Sequence, residues 1–126
     1  KVGALNTKKG LDSDIRCFDK LEDWQDRPDN GYVVGATPFA TCTQRMENYE
    51  FDVVIFDEAS QITAPLALMA MRKAQRYIFV GDHKQLPPVV LSKSVISGGS
   101  HSIFSKLTSL AKQTNVMLSQ TYRIYL

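Results

Sequence analysis

The sequence has little of what marks several protein classes. Only two cysteines occur among 126 residues, Cys17 and Cys42, and they sit far apart in no C-x-x-C or His-rich spacing. Neither a disulfide framework nor a zinc site is indicated, and both read as buried structural thiols. No apolar stretch approaches the ~20 residues of a membrane-spanning helix, and no signal-peptide pattern opens the chain. A cytoplasmic protein, or a nuclear one in a eukaryote, with no membrane partner is expected. Charge excess is slight: the formal net charge of +2 and a pI near 8.6 are too mild to declare a nucleic-acid surface, although they leave room for a local basic stripe. No stretch matches G-x-x-x-x-G-K-[ST], the loop whose amides and lysine cradle phosphates. Internal repeats and low-complexity segments are also lacking. What remains, 44% hydrophobic and 22% charged, is the composition of one ordinary globular domain. A start on Lys1 instead of Met, and an end just after a motif, lead us to expect an excised piece.

The most informative stretch is Phe51 to Gln61. Val53, Val54, Ile55 and Phe56 form an apolar run without alternation, as expected of a strand buried on both faces in a parallel sheet. It ends abruptly in Asp57 and Glu58. In open parallel sheets ligands lie outside the carboxyl ends of the strands, so this pair falls where chemistry would be done. One such acid can hold a hydrated Mg²⁺ while the other orients or deprotonates a water. Taken in isolation, a strand ending in Asp-Glu is more often the start of a plain solvated turn.

Elsewhere the pattern alternates. Val2 to Leu5 reads as a strand, with a turn over 6–10. From Asp12, with Ser13 beside it, the residues Ile15, Phe18, Leu21 and Trp24 recur every third position and predict an amphipathic helix stopping before Pro28. Trp24 reads as a core anchor. Tyr32 to Thr37 predicts a second buried strand, left by a loop or a helix start in which Thr37 and Thr41 either contact phosphates or cap a helix. Thr63 and Pro65 open a helix over Leu66 to Ala74, with Met69 and Met71 as core filler. A third strand, Arg76 to Val80, delivers Gly81 to Pro88 to the same edge as Asp57. The Ser- and Gly-rich stretch 91–100 predicts a flexible connection. Ser100 or Ser102 then caps a helix carrying Ile103, Phe104, Leu107, Leu110 and Ala111, and Val116 to Leu118 predicts a short last strand. Strands and helices in alternation predict a doubly wound α/β domain that binds something anionic.

The motifs themselves reach further. Asp57-Glu58-Ala59-Ser60-Gln61 (57–61), Gly81 to Pro88 (81–88) and Leu118 to Arg123 (118–123) resemble, in order and spacing, motifs II, III and IV of superfamily 1 helicases. The branch is that of the nonsense-mediated-decay RNA helicase and related DNA helicase-nucleases, and Gly35 to Thr37 and Ser102 to Leu107 are similar to its intervening segments. The resemblance implies a partial RecA-like P-loop NTPase fold, a mostly parallel sheet with flanking helices, in which residues 1–126 are one incomplete domain lacking the phosphate-loop strand. It implies ATP and Mg²⁺ as cofactors and single-stranded nucleic acid as partner. By that resemblance Asp57 is the Mg²⁺ carboxylate and Glu58 the residue that positions or activates the hydrolytic water. Gln85 senses the γ-phosphate, as a neutral donor and acceptor can, and Arg123 neutralises charge on the transferring phosphoryl group. Pro87 and Pro88 stiffen the link from that sensor to the nucleic-acid groove.

Two departures qualify the match. Thr121 precedes Tyr122 where the branch carries Gln, with Gln120 one residue earlier, so the family's Gln role does not transfer, whereas Arg123 keeps its place. The missing phosphate loop implies an isolated chain that does not hydrolyse ATP, with the rest of a helicase, a second RecA-like domain included, as its partner. A module of the same fold without motor activity is the alternative, and an unrelated metal-dependent phosphatase or nuclease using Asp82 as a further acid is a weaker one. Without the phosphate-loop strand, the edge of Arg76 to Val80 is expected to be filled by Val116 to Leu118, by Val2 to Leu5, or by a second copy of the chain.

Overall fold

The computed structural model describes residues 2–5, 12–82, 84, 102–110 and 114–119. Two groups of parallel strands organise them. In the first, β1 (Val2–Leu5) lies between β2 (Arg16–Phe18) and β3 (Val33–Gly35), with Gly3 opposite both Arg16 and Val34. In the second, β4 (Val54–Phe56) pairs with β5 (Tyr77–Phe79), Ile55 opposite Ile78. Parallel neighbours need a crossover, and between β4 and β5 it is α2 (Ala64–Met71), entered through Thr63 with Pro65 in the first turn. A short helix α1 (Pro38–Thr41) follows β3, and α3 (Ile103–Leu110) follows Ser102.

Each strand group has its own core. Phe18, Leu21, Trp24 and Met46 are buried beside the first, with Tyr32, Val34, Tyr49 and Phe51 packed on them. Trp24 stacks on Phe18 at 5.4 Å between ring centroids, which is the anchoring role expected of it. Phe56, Ala59, Ala67, Ala70 and Phe104 form the second core, in which Phe56 and Phe79 stack at 4.6 Å. Polar links cross between the two. The Phe51 amide donates to the Lys73 carbonyl at 2.8 Å, Lys73 Nζ donates to the carbonyls of Met46 at 2.6 Å and Glu47 at 3.0 Å, and Cys42 Sγ reaches the Met69 carbonyl at 3.6 Å.

Several expectations are corrected. Residues 12–24 are not a helix: they form β2 and a single 3₁₀ turn, Leu21–Asp23, because pairing with β1 satisfies the backbone of 16–18. A spacing of three with no step of four also drifts around an α-helix instead of keeping to one stripe. The single doubly wound sheet is replaced, among the described residues, by two separate parallel groups. β4 is covered on one face only: Phe56 is buried, whereas Ile55 is 60% and its partner Ile78 50% exposed. Residues 116–118 form no strand and are exposed, and β1 is taken up between β2 and β3, so neither fills the outer edge of β5. The cysteines are not buried, Cys17 being half-buried and Cys42 exposed. The turn at 6–10 and the connection at 91–100 lie outside the described residues.

Candidate active site

Two parallel strands side by side deliver their carboxyl ends to one place. β4 leads into Asp57 and Glu58, and β5 leads into Val80, Gly81 and Asp82. Val80 pins the acidic pair from both sides: its amide donates to the Phe56 carbonyl at 2.8 Å, and its carbonyl accepts the Ala59 amide at 2.8 Å. Asp57 and Glu58 are the two residues left between those bonds. The chain turns there through Glu58 at φ 50° and ψ 41°, the one non-glycine residue in the left-handed region among those described. Such a conformation costs an L-residue about 1–2 kcal/mol and persists only where the surroundings hold it.

The surroundings do hold it. Asp57 Oδ1 accepts the Glu58 amide at 3.0 Å, and a 3₁₀ turn, Ala59–Gln61, carries the chain away with Gln61 donating back to the Glu58 carbonyl at 3.0 Å. Ala59 is fully buried and Ser60 is 3% exposed. From the far side, Ser102 Oγ donates to the Ala59 carbonyl at 3.4 Å and Ser102 bridges to Thr63. The hydroxyl expected to cap α3 is thus turned toward the acidic turn. Gly81 comes closest: a Cβ placed on it would lie 3.0 Å from the Ser60 nitrogen and 3.2 Å from that of Ala59. Both acids, by contrast, are exposed to solvent.

The remaining candidates are placed unevenly. Thr37 is the N-cap of α1, its Oγ1 accepting the Ala40 amide at 3.4 Å; Thr41 is 8% exposed and its Oγ1 donates to the Pro38 carbonyl at 2.6 Å. Both sit at the end of β3, in the other strand group from Asp57. Gln85, Pro87, Pro88 and Arg123 lie outside the described residues. Asp82 Oδ1 accepts the Lys84 amide at 2.9 Å, and among the described residues no three His, Cys, Asp or Glu side chains gather as a metal cluster. The cavity of about 380 Å³ lined by Glu50, Asp52, Arg72 and Arg76 lies at the opposite, amino-terminal ends of β4 and β5. Sequence reasoning gave no role to Ala59, Ser60 or Gly81. Their signal was the run of small residues at the ends of two neighbouring strands, where backbones can approach closely.

Comparison with known proteins agrees with the motifs. The AAA domain family matches residues 25–93, from before β3 to beyond Gly81. The "DNA replication ATP-dependent helicase/nuclease JHS1" of Arabidopsis thaliana is 34% identical over 114 residues, covering 86% of this chain and 9% of that protein. The "DNA replication ATP-dependent helicase/nuclease DNA2" of Saccharomyces cerevisiae is 42% identical over 76 residues, 60% of this chain and 5% of the relative. "Regulator of nonsense transcripts 1" of Dictyostelium discoideum is 36% identical over 95 residues, 74% of this chain and 7% of the relative. The chain therefore spans less than a tenth of each of these three relatives. Parallel strands with a helical crossover, two acids at their carboxyl ends and a family match over more than half its length place it together: the chain belongs to the AAA domain family, in the superfamily 1 helicases.

Proposed function

We propose that this chain carries the water-activating part of an ATP-hydrolysing motor that moves on single-stranded DNA or RNA. The observation that supports it most is the Asp57-Glu58 pair, strained, exposed and pinned at both ends by Val80. Glu58 orients the attacking water and takes its proton, and its fixed backbone keeps the carboxylate in one place between turnovers. Asp57 fits a Mg²⁺ ion. One of its oxygens is engaged by the Glu58 amide, its carboxylate is exposed, and a lone carboxylate suits an ion that keeps several waters and takes phosphate oxygens, not one needing a closed cluster of side chains. Bound there with ATP, Mg²⁺ would neutralise charge on the β- and γ-phosphates.

Gln85 reads the γ-phosphate and Arg123 offsets the charge that develops on it. Pro87 and Pro88 relay that reading toward nucleic acid, with Thr37 at the end of β3 as a further contact residue and Thr41, buried with its hydroxyl on the Pro38 carbonyl, supporting the turn behind it. No phosphate-cradling loop occurs in the sequence, so the substrate is held by another segment of a larger helicase and the isolated chain does not turn over ATP. That same absence is what favours the second reading, a module of this fold without motor activity.

The test is Glu58→Gln in the longer protein that carries the chain. ATP and Mg²⁺ binding persist while turnover falls on the order of 10²-fold or more, since only water activation is lost. Hydrolysis at the unsubstituted rate would remove Glu58 from the reaction and leave the module reading.

A further inference from the structure

We infer that Gly81 is a positioning residue for Glu58. It acts through the backbone of Ala59 and Ser60, so that the loop following β5 sets the aim of the water-activating carboxylate. The inference rests on the reading of Glu58 given above and adds to it a residue outside the acidic motif.

The geometry is an apposition of two backbones with no side chain between them. Val80 bonds the residues on either side of Asp57 and Glu58, and Gly81 then lies flat against the next peptide. A methyl group on Gly81 would come within 3.0 Å of the Ser60 nitrogen and 3.2 Å of the Ala59 nitrogen. Those atoms are main chain, so they cannot rotate aside as the end of a flexible side chain would. Nor can they retreat easily. Ala59 is fully buried, Ser60 nearly so, and Ser102 Oγ holds the Ala59 carbonyl from the other side. Glu58 is joined directly to that peptide, and its left-handed conformation is held by the place of Ala59 on the Val80 carbonyl. Crowding at position 81 therefore displaces the Ala59–Ser60 main chain that holds Glu58, and with it the aim of the exposed carboxylate.

Two measurements test this. In the 126-residue chain, amide NMR of Gly81→Ala should show shifts at Glu58, Ala59 and Ser60, with Ala67 in α2 unmoved; unchanged Glu58 and Ala59 amides would overturn the proposal whatever the chain's activity. In the longer protein, Gly81→Ala should lower kcat for ATP about 10-fold while KM changes less than about 3-fold, as a sub-ångström misplacement of a reacting group does. In the Glu58→Gln background the same substitution should add no further loss, since the residue it acts through is already disabled. An equal loss in both backgrounds, or a loss matched by Ala70→Gly at the same thermal stability, would mean a structural role only and would overturn it. An unsubstituted protein without ATP turnover would instead overturn the motor reading, and the amide shifts would still decide on the apposition.

Discussion

The Val80 carbonyl accepts the Ala59 amide at 2.8 Å, and this single bond fixes how the chain leaves the acidic pair. Because it closes a two-residue excursion, it leaves Glu58 little choice of conformation, and the residue sits at φ 50°. Strain held in this way is a stability cost tied to one position.

Glu58→Gly should therefore stabilise the chain. Glycine adopts the left-handed region without penalty, and after its greater freedom in the unfolded state is allowed for, a gain of about 0.5–1 kcal/mol remains. Urea unfolding of the two chains measures it. In the longer protein the same variant should lack turnover, a trade of activity for stability. An unfolding midpoint that falls would show that the turn is not strained.

Ser60→Ala addresses the same turn from inside. Ser60 Oγ is buried and has no hydrogen-bond partner among the described residues. A buried hydroxyl without a partner costs roughly 1–3 kcal/mol, so its replacement by a methyl group should leave thermal stability unchanged or raise it by about 1 kcal/mol. Destabilisation by calorimetry would reveal a partner for that hydroxyl.

The bare face of β4 and β5 makes a prediction about association. Ile55 and Ile78 are partners across the two strands and are both half exposed or more, with the exposed Val80 two residues beyond Ile78. An apolar face next to a strand edge that no described residue fills is a template for another copy. The isolated chain should show concentration-dependent dimers in sedimentation velocity. Ile55→Lys with Ile78→Lys should abolish them while changing unfolding free energy by no more than about 0.5 kcal/mol per site. Monomers throughout at high concentration would refute pairing through this face.

Arg123 and Gln85 should separate by kinetics in the longer protein. Arg123→Ala should lower kcat more than it weakens ATP binding, since the contact proposed for it would strengthen as charge moves toward the leaving group. An effect confined to KM would count against that role. Gln85→Ala should leave basal hydrolysis while removing its stimulation by single strands, and full stimulation in that variant would end the coupling idea.

Local chemistry made much of this legible from the residues alone. Apolar runs closed by Gly, Pro or charged turns located β3, β4 and β5; Thr63 with Pro65 marked α2; and the helical spacing of Ile103, Phe104 and Leu107 marked α3. The abrupt change from Phe56 to Asp57 marked where β4 ends in the acidic turn. Residues 15–24 misled because Phe18, Leu21 and Trp24 are buried, as their spacing demanded, but from a strand and a 3₁₀ turn whose partner β1 lies in another part of the chain. The open face of β4 was illegible for a similar reason: an apolar run states what can be covered, not whether a cover is present. Glu58 in the left-handed region and Gly81 against Ser60 leave no periodic trace, since close backbone approach depends on where β5 places its end.

The links through Lys73 have a further consequence. They join two cores that each gather their own aromatic residues, beside the Cys42 contact to the Met69 carbonyl and the packing of α1 on α2. Such bonds are directional, so they hold only while donor and carbonyl stay in line. Lys73 is thus a fastening between the strand pair that bears Asp57 and Glu58 and the core around Trp24.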